Sequence, residues 1–163
     1  MFAGKRNNDL ISHLDYKRYL GYNEEAEKER KFCHHDMGHF LDVARIAMIL
    51  NADEEYGIEA EMIYAAALLH DIGRWEQYEN GTDHAKASAR LAGPILKDCG
   101  FSEKESTLIV SAIETHRDKS VSAQKDLSGL LYRADKLSRA CFACKAESEC
   151  NWKDDKKNLQ LLM

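Results

Sequence analysis

Apolar residues recur every three to four positions through most of the chain, the spacing that gathers them on one face of an α-helix. The pattern predicts a first helix over residues 9–20, closing near Gly21, and a short charged helix over 24–31. A longer helix follows over 36–54, with Phe40, Val43, Ala44, Ala47, Met48 and Leu50 on its inner side, and Gly57 ends the next turn. Residues 59–69 (EAEMIYAAALL) are apolar enough to form a central, buried helix. It stops at His70-Asp71-Ile72-Gly73, where the glycine supplies the break. Asp83 is an N-cap for a helix over 84–97, which Pro94 should kink. Ser102 and Glu105 have the spacing of a capping box for a helix ending near His116. A polar loop spans 117–125, and Asp126 opens a last helix through about Ala140. No segment alternates at strand period, so the expected fold is all-α: one helical domain over 1–140 and a short extension over 141–163 packed on it.

Composition supports this picture. A length of 163 residues suits one domain with its own core, and a single proline leaves long stretches free to be helical. Apolar residues at 44% and charged ones at 31% describe an ordinary globular chain. The net charge of −5 speaks against a nucleic-acid polymer as partner, because such binding needs surplus Lys and Arg to displace counterions. A small phosphorylated ligand held by a metal and a few local cations is still compatible. No apolar run is long enough to cross a bilayer, and residues 1–10 (MFAGKRNNDL) lack a signal-peptide core. The expectation is a cytoplasmic protein with no membrane partner, its oligomeric state left open.

The candidate chemistry lies in the histidines. His39 sits on the long helix, His70-Asp71 where the most apolar helix breaks, His84 at the start of a helix and His116 at the end of one. Asp135 lies inside the last helix. Imidazoles and carboxylates grouped at rigid helix ends are what a divalent cation needs: nitrogen and oxygen ligands converging from several elements. A lone histidine at a helix end is more often a cap or a surface residue, and His13 has only that status.

Three segments carry a family resemblance: residues 39–45 (HFLDVAR), 67–74 (ALLHDIGR) and 132–137 (YRADKL). Together they resemble the HD superfamily of metal-dependent phosphohydrolases, over roughly residues 35–140. The resemblance implies an all-helical fold and His39, His70, Asp71 and Asp135 as core metal ligands. Residues 84–93 (HAKASARLAG) and 112–116 (AIETH) are similar to the additional-histidine segments of dinuclear members, which implies His84 and His116 as ligands of a second ion. Ligands of these types accept iron, manganese, cobalt, nickel or magnesium. Arg74 stands where the cyclic-dinucleotide branch has lysine, and that branch's Gly-Tyr-Pro signature is absent, which speaks against cyclic dinucleotides.

Arg74 and Lys136, each beside an implied ligand, are candidates for contacts to a substrate phosphate and, with His70 and Asp71, form the candidate catalytic set. His35 is one helical turn before His39, so both could face one site; His34 reads as exposed. Asp42 either supports a ligand or is a surface carboxylate.

Five cysteines in such a chain read as reduced thiols or metal ligands. Cys141-x2-Cys144-x5-Cys150 could supply three ligands of a tetrahedral site for zinc or an iron-sulfur cluster, with Cys33 the fourth. A redox disulfide or plain thiols are the alternatives. Cys99 reads as core, and Trp152 as the residue packing the extension onto the domain.

The function expected from the resemblance is metal-dependent hydrolysis of a phosphate ester or anhydride, a nucleotide among the candidates. Two alternatives share the ligand set: a di-iron oxygenase of the same fold, and a non-catalytic nucleotide-binding sensor.

Overall fold

The computed structural model describes residues 4–161. The expectations for the N-terminal segment and the tail fall partly on residues 1–3 and 162–163, outside that range. Eight α-helices account for the regular structure of the described residues, together with short 3-10 turns and no strand. They are α1 (Lys5–Ser12), α2 (Leu14–Glu27), α3 (Met37–Asp53), α4 (Ala60–Leu69), α5 (Arg74–Asn80), α6 (His84–Asp98), α7 (Glu103–Thr115) and α8 (Leu127–Leu137). No helix is long and apolar enough to cross a membrane.

Helix α4 is the axis of the molecule. Ile63 and Ala65 to Leu69 are all buried, and α4 packs against α1, α3, α6, α7 and α8. Alanine at 65, 66 and 67 keeps that surface thin, so several helices approach it at once. Around it, α3 buries Phe40, Val43, Ala44 and Ala47, the i, i+3, i+4, i+7 pattern of one helical face. Four helix starts are set by local side chains, three of them at the caps the sequence predicts and the fourth at Asp36. Asp36 accepts from the His39 N–H, Asp83 from those of Ala85 and Lys86, and Asp126 from that of Gly129. Ser102 and Glu105 form both arms of their capping box. Helix α6 runs on past Pro94 to Asp98, so the proline does not end it.

The N-terminal third differs from expectation. Instead of helices over 9–20 and 24–31, α1 ends at Ser12 and α2 runs through Gly21 to Glu27. The break is at His13, which is extended and whose ring Nδ1 accepts from the Asp15 N–H at 3.2 Å, an N-cap made by an imidazole. Gly21 has open space around it, so nothing there stops the helix. Residues 74–80, assigned to no element by periodicity, form α5, which closes at Gly81 in the left-handed conformation (φ 77°). Gly73 has a different reason to be glycine than a helix break. A Cβ there would lie 2.7 Å from the Ser88 backbone nitrogen and 2.9 Å from the Ala87 carbonyl carbon. It marks where the turn after α4 presses on α6.

Helix α8 ends at Leu137, three residues short of the expected Ala140. Beyond it the chain holds only the 3-10 turns Cys141–Ala143, Glu147–Glu149 and Asp154–Lys156. The Asn158 amide donates to the carbonyls of Lys136 and Arg139, and Lys31 pairs with Glu149. Trp152 does not pack into the domain: it is 39% exposed and lines a cleft.

Candidate metal centre and its cationic mouth

Five helices deliver six ligand-type side chains to one buried point. His39 comes from the first turn of α3, His70 and Asp71 from the end of α4, His84 from the start of α6, His116 from the end of α7 and Asp135 from α8. All six are buried. They fall into two groups whose ligand atoms lie within 4.8 Å of one another: His39, His70, Asp71 and Asp135, and then Asp71, His84 and His116. Asp71 belongs to both. Its Oδ2 is 3.2 Å from His70 Nε2 and 3.9 Å from His39 Nε2, while its Oδ1 is 3.2 Å from His84 Nε2 and 3.4 Å from His116 Nε2. Asp135 Oδ1 completes the first group, 3.4 Å from His39 Nε2 and 3.7 Å from His70 Nε2.

These short separations are not hydrogen bonds in every case. His70 Nε2 and Asp71 Oδ1 are fully buried yet make no aligned hydrogen bond. Leaving such atoms unpaired is costly, about 1–3 kcal/mol for each group. Atoms that converge on a shared point without pairing fit a cation placed between them.

The outer side of the rings fixes their tautomers. His70 Nδ1 donates to the Ala67 carbonyl at 2.7 Å and His116 Nδ1 to the Ile113 carbonyl at 2.6 Å. Each ring thereby turns Nε2 inward, the arrangement usual for metal-binding histidines. His84 Nδ1 lies 2.6 Å from Gln77 Oε1, and Ser138 Oγ is 3.4 Å from His39 Nδ1.

Charge coupling is strong. Burial favours the neutral form of Asp71, but the neighbouring His70, His35 and His116 override it and hold the carboxylate well below its usual range. Asp135 is likewise held low against burial, by His39 and His70. Burial would also keep His70 neutral, yet Asp71 and Asp135 raise it to about 10. Burial lowers His39 to about 4 and His84 to about 3, with Arg139 near the first and Arg74 near the second adding to the effect. Two imidazoles are thus neutral nitrogen donors at neutral pH.

Above the centre opens a cleft of about 250 Å³ reached by Asp71, His84, His116 and Asp135. Arg30, Arg74, Arg117, Lys136 and Arg139 all line it. Arg74 and Lys136 both line this cleft. Arg74 Nη1 is 2.6 Å from His84 Nδ1, and Lys136 Nζ donates to Asp135 Oδ2 at 2.6 Å.

His35 joins the site. Its Nε2 is 3.7 Å from Asp71 Oδ2, and its Nδ1 and backbone N–H meet Glu27 at 2.5 and 2.7 Å. Glu27 also accepts from the Tyr78 hydroxyl at 2.7 Å. Glu27, Tyr78, Arg30 and Arg139 escaped sequence reasoning, since nothing local ties them to the ligand-type histidines, and Arg117, next to His116, was read only as part of a polar loop. Asp42 is an exposed carboxylate near Arg45, and His34 is exposed. Cys99 is core. Cys33, Cys141, Cys144 and Cys150 are free thiols lining one cavity beside the cleft.

Comparison with known proteins agrees with this geometry. An uncharacterized protein of Clostridium beijerinckii is 46% identical over 156 residues, covering 96% of this chain and 98% of that one. Ribonuclease Y 1 of Pediococcus pentosaceus is 33% identical over 131 residues, 80% of this chain but only 21% of that protein, so the chain spans about a fifth of its length. The crystal structure of a predicted HD superfamily hydrolase from an uncultured Thermotogales bacterium superposes with a TM-score of 0.62 at 26% identity, covering 86% of this chain and 79% of that one. The HD domain family matches residues 37–140, a span that holds all six buried ligand-type residues, and the chain belongs to that family.

Proposed function

We propose that the protein is a phosphohydrolase that cleaves a phosphate ester or anhydride of a small molecule, a nucleotide being the leading candidate, with two divalent ions. The observation that carries this reading is the placement of the two Asp71 oxygens. Each faces a different set of histidines, beneath a mouth lined by five cations. His39, His70, Asp71 and Asp135 would hold one ion, and Asp71, His84 and His116 the other. When bound, such ions supply an acidified water at neutral pH and stabilise charge on phosphoryl oxygens.

The chain's own groups supply the rest. Arg74, Arg117, Lys136 and Arg139 draw the phosphate to the cleft, and charge-assisted hydrogen bonds from them hold its oxygens while negative charge grows there. Carbonyls behind His70 and His116 keep their Nε2 atoms aimed inward, while Arg139 beside His39 Nε2 gives way when an ion binds. Depressed Asp71 and Asp135 stay ionised through the working pH range. Ribonuclease Y shares this domain only as a fifth of its length, and a net charge of −5 with a cleft of about 250 Å³ favours a small substrate over an RNA chain.

The test is metal analysis of protein purified without chelators. Inorganic phosphate release is then followed with that metal over nucleotides, sugar phosphates, phosphodiesters and a short RNA. We expect turnover of a small phosphorylated compound in the absence of dioxygen, and loss of metal and turnover together in Asp71→Ala. Turnover by metal-free Asp71→Ala, or substrate loss that requires dioxygen, would overturn the reading.

A further inference from the structure

Four of the five cysteines line a single cavity of about 320 Å³, although Cys33 is more than a hundred residues from the other three. The Cys141–Ala143 turn folds Cys144 back, its N–H donating to the Cys141 carbonyl at 3.1 Å, and the Cys150 N–H donates to the Glu147 carbonyl at 3.1 Å. The segment they belong to lacks a core of its own. Among its described residues Ala146 alone is a buried hydrophobic, and its regular structure is three single turns. Burial of one alanine is far too little to order about twenty residues, and segments this poor in core are commonly held by a metal or a crosslink.

The surroundings carry both signs of charge. A divalent ion with four thiolates carries about two net negative charges; Lys31, Arg139 and Lys157 line the same cavity and offset them, alongside Asp36, Asp42 and Glu147. Lys157 is nearly buried there, its Nζ 2.7 Å from Glu147. No three of the sulfurs lie within 4.8 Å of one another, so coordination would draw them inward across the cavity.

We propose that Cys33, Cys141, Cys144 and Cys150 bind a zinc ion, which fixes the extension as a wall of the substrate cleft. The second half of the inference follows from shared lining: Cys33, Cys150, Trp152 and Arg139 border both the cysteine cavity and the cleft above the histidines. Zinc at the cysteines therefore sets the position of Trp152 and Arg139 over the bound substrate. That half rests on the phosphohydrolase reading, whereas zinc binding itself does not.

The experiment uses the full chain with the Asp71→Ala substitution, which removes the residue common to both histidine groups, purified under reducing conditions. Expected is one zinc per chain released together with four newly reactive thiols when a chelator is added. Cobalt replacement should give the intense near-ultraviolet band of sulfur-to-cobalt charge transfer, which histidine and carboxylate ligands cannot produce. Cys144 is exposed, so Cys144→Ser should keep its helical circular dichroism while losing the zinc and the band; Cys150→Ser serves as a second variant. In a Trp75→Phe background, zinc release should shift the emission of Trp152. No zinc, an iron-sulfur chromophore, a disulfide, or zinc retained in both serine variants would overturn the site. Unchanged Trp152 emission would overturn the wall. Absence of phosphatase activity in the unsubstituted chain, with zinc and its thiolates intact, would count against the proposed function alone.

Discussion

Asn23 holds Asp71 from behind: its Nδ2 donates to the Asp71 carbonyl at 2.9 Å, and its Oδ1 accepts from the Trp75 N–H at 2.8 Å. Asn23 is completely buried on α2, so one side chain spans the turn that carries the shared carboxylate. Asn23→Ala removes both bonds and strands a buried carbonyl and N–H. The expected loss is about 2–4 kcal/mol of unfolding free energy, read by urea denaturation, with weaker metal retention than wild type.

Gly73 touches α6 through its backbone, with its N–H donating to Ser88 Oγ at 2.9 Å and no room for a Cβ. In Gly73→Ala the α6 backbone must move, and His84 at its start moves with it. The variant should lose about 1–3 kcal/mol, and in metal analysis it should lose the His84–His116 ion before the other. A variant as stable as wild type with full metal content would contradict the close approach.

Glu27 makes acid stability testable. Burial works against its charge, but His35 and Tyr78 outweigh it and lower its pKa from 4.5 to about 2. A depressed folded pKa means the stabilisation is complete above the unfolded value near 4.5 and disappears as pH falls toward 2. The span corresponds to at most about 3 kcal/mol. Denaturation curves between pH 5 and pH 2, roughly the window of that shift, should show a steeper decline for wild type than for Glu27→Gln.

Arg74 and Arg139 should act on substrate rather than on the fold, since both sit at the cleft and are only partly buried. Losing a charge-assisted contact to phosphate costs about 1.5–3 kcal/mol. Arg139→Ala should therefore lower kcat/KM by roughly 10- to 100-fold with little change in melting temperature. An unaltered kcat/KM would remove Arg139 from the phosphate site.

Much of this was readable in the residues because it is local. Asp36, Asp83, Asp126 and the Ser102–Glu105 box each set a helix start within one turn, and the six buried ligand-type residues sit in segments with their own pattern. What escaped depends on distance or on unusual chemistry. A histidine N-cap at His13 broke a helix that apolar spacing alone would continue. Helix α5 has seven residues, mostly polar, too short to show a period. The link of Glu27 to His35 and the reach of Arg139 to His39 Nε2 at 3.2 Å exist only once α2, α3 and the end of α8 are assembled.

If Asp71 is shared between two ion sites, metal stoichiometry will follow its two oxygens. Wild type, His84→Ala, His39→Ala and Asp71→Ala are each loaded with manganese, dialysed and analysed for metal per folded chain. Two ions are expected in wild type, one in each histidine variant and none in Asp71→Ala. A single ion in wild type, or an Asp71→Ala protein that still holds one, would contradict the sharing of Asp71.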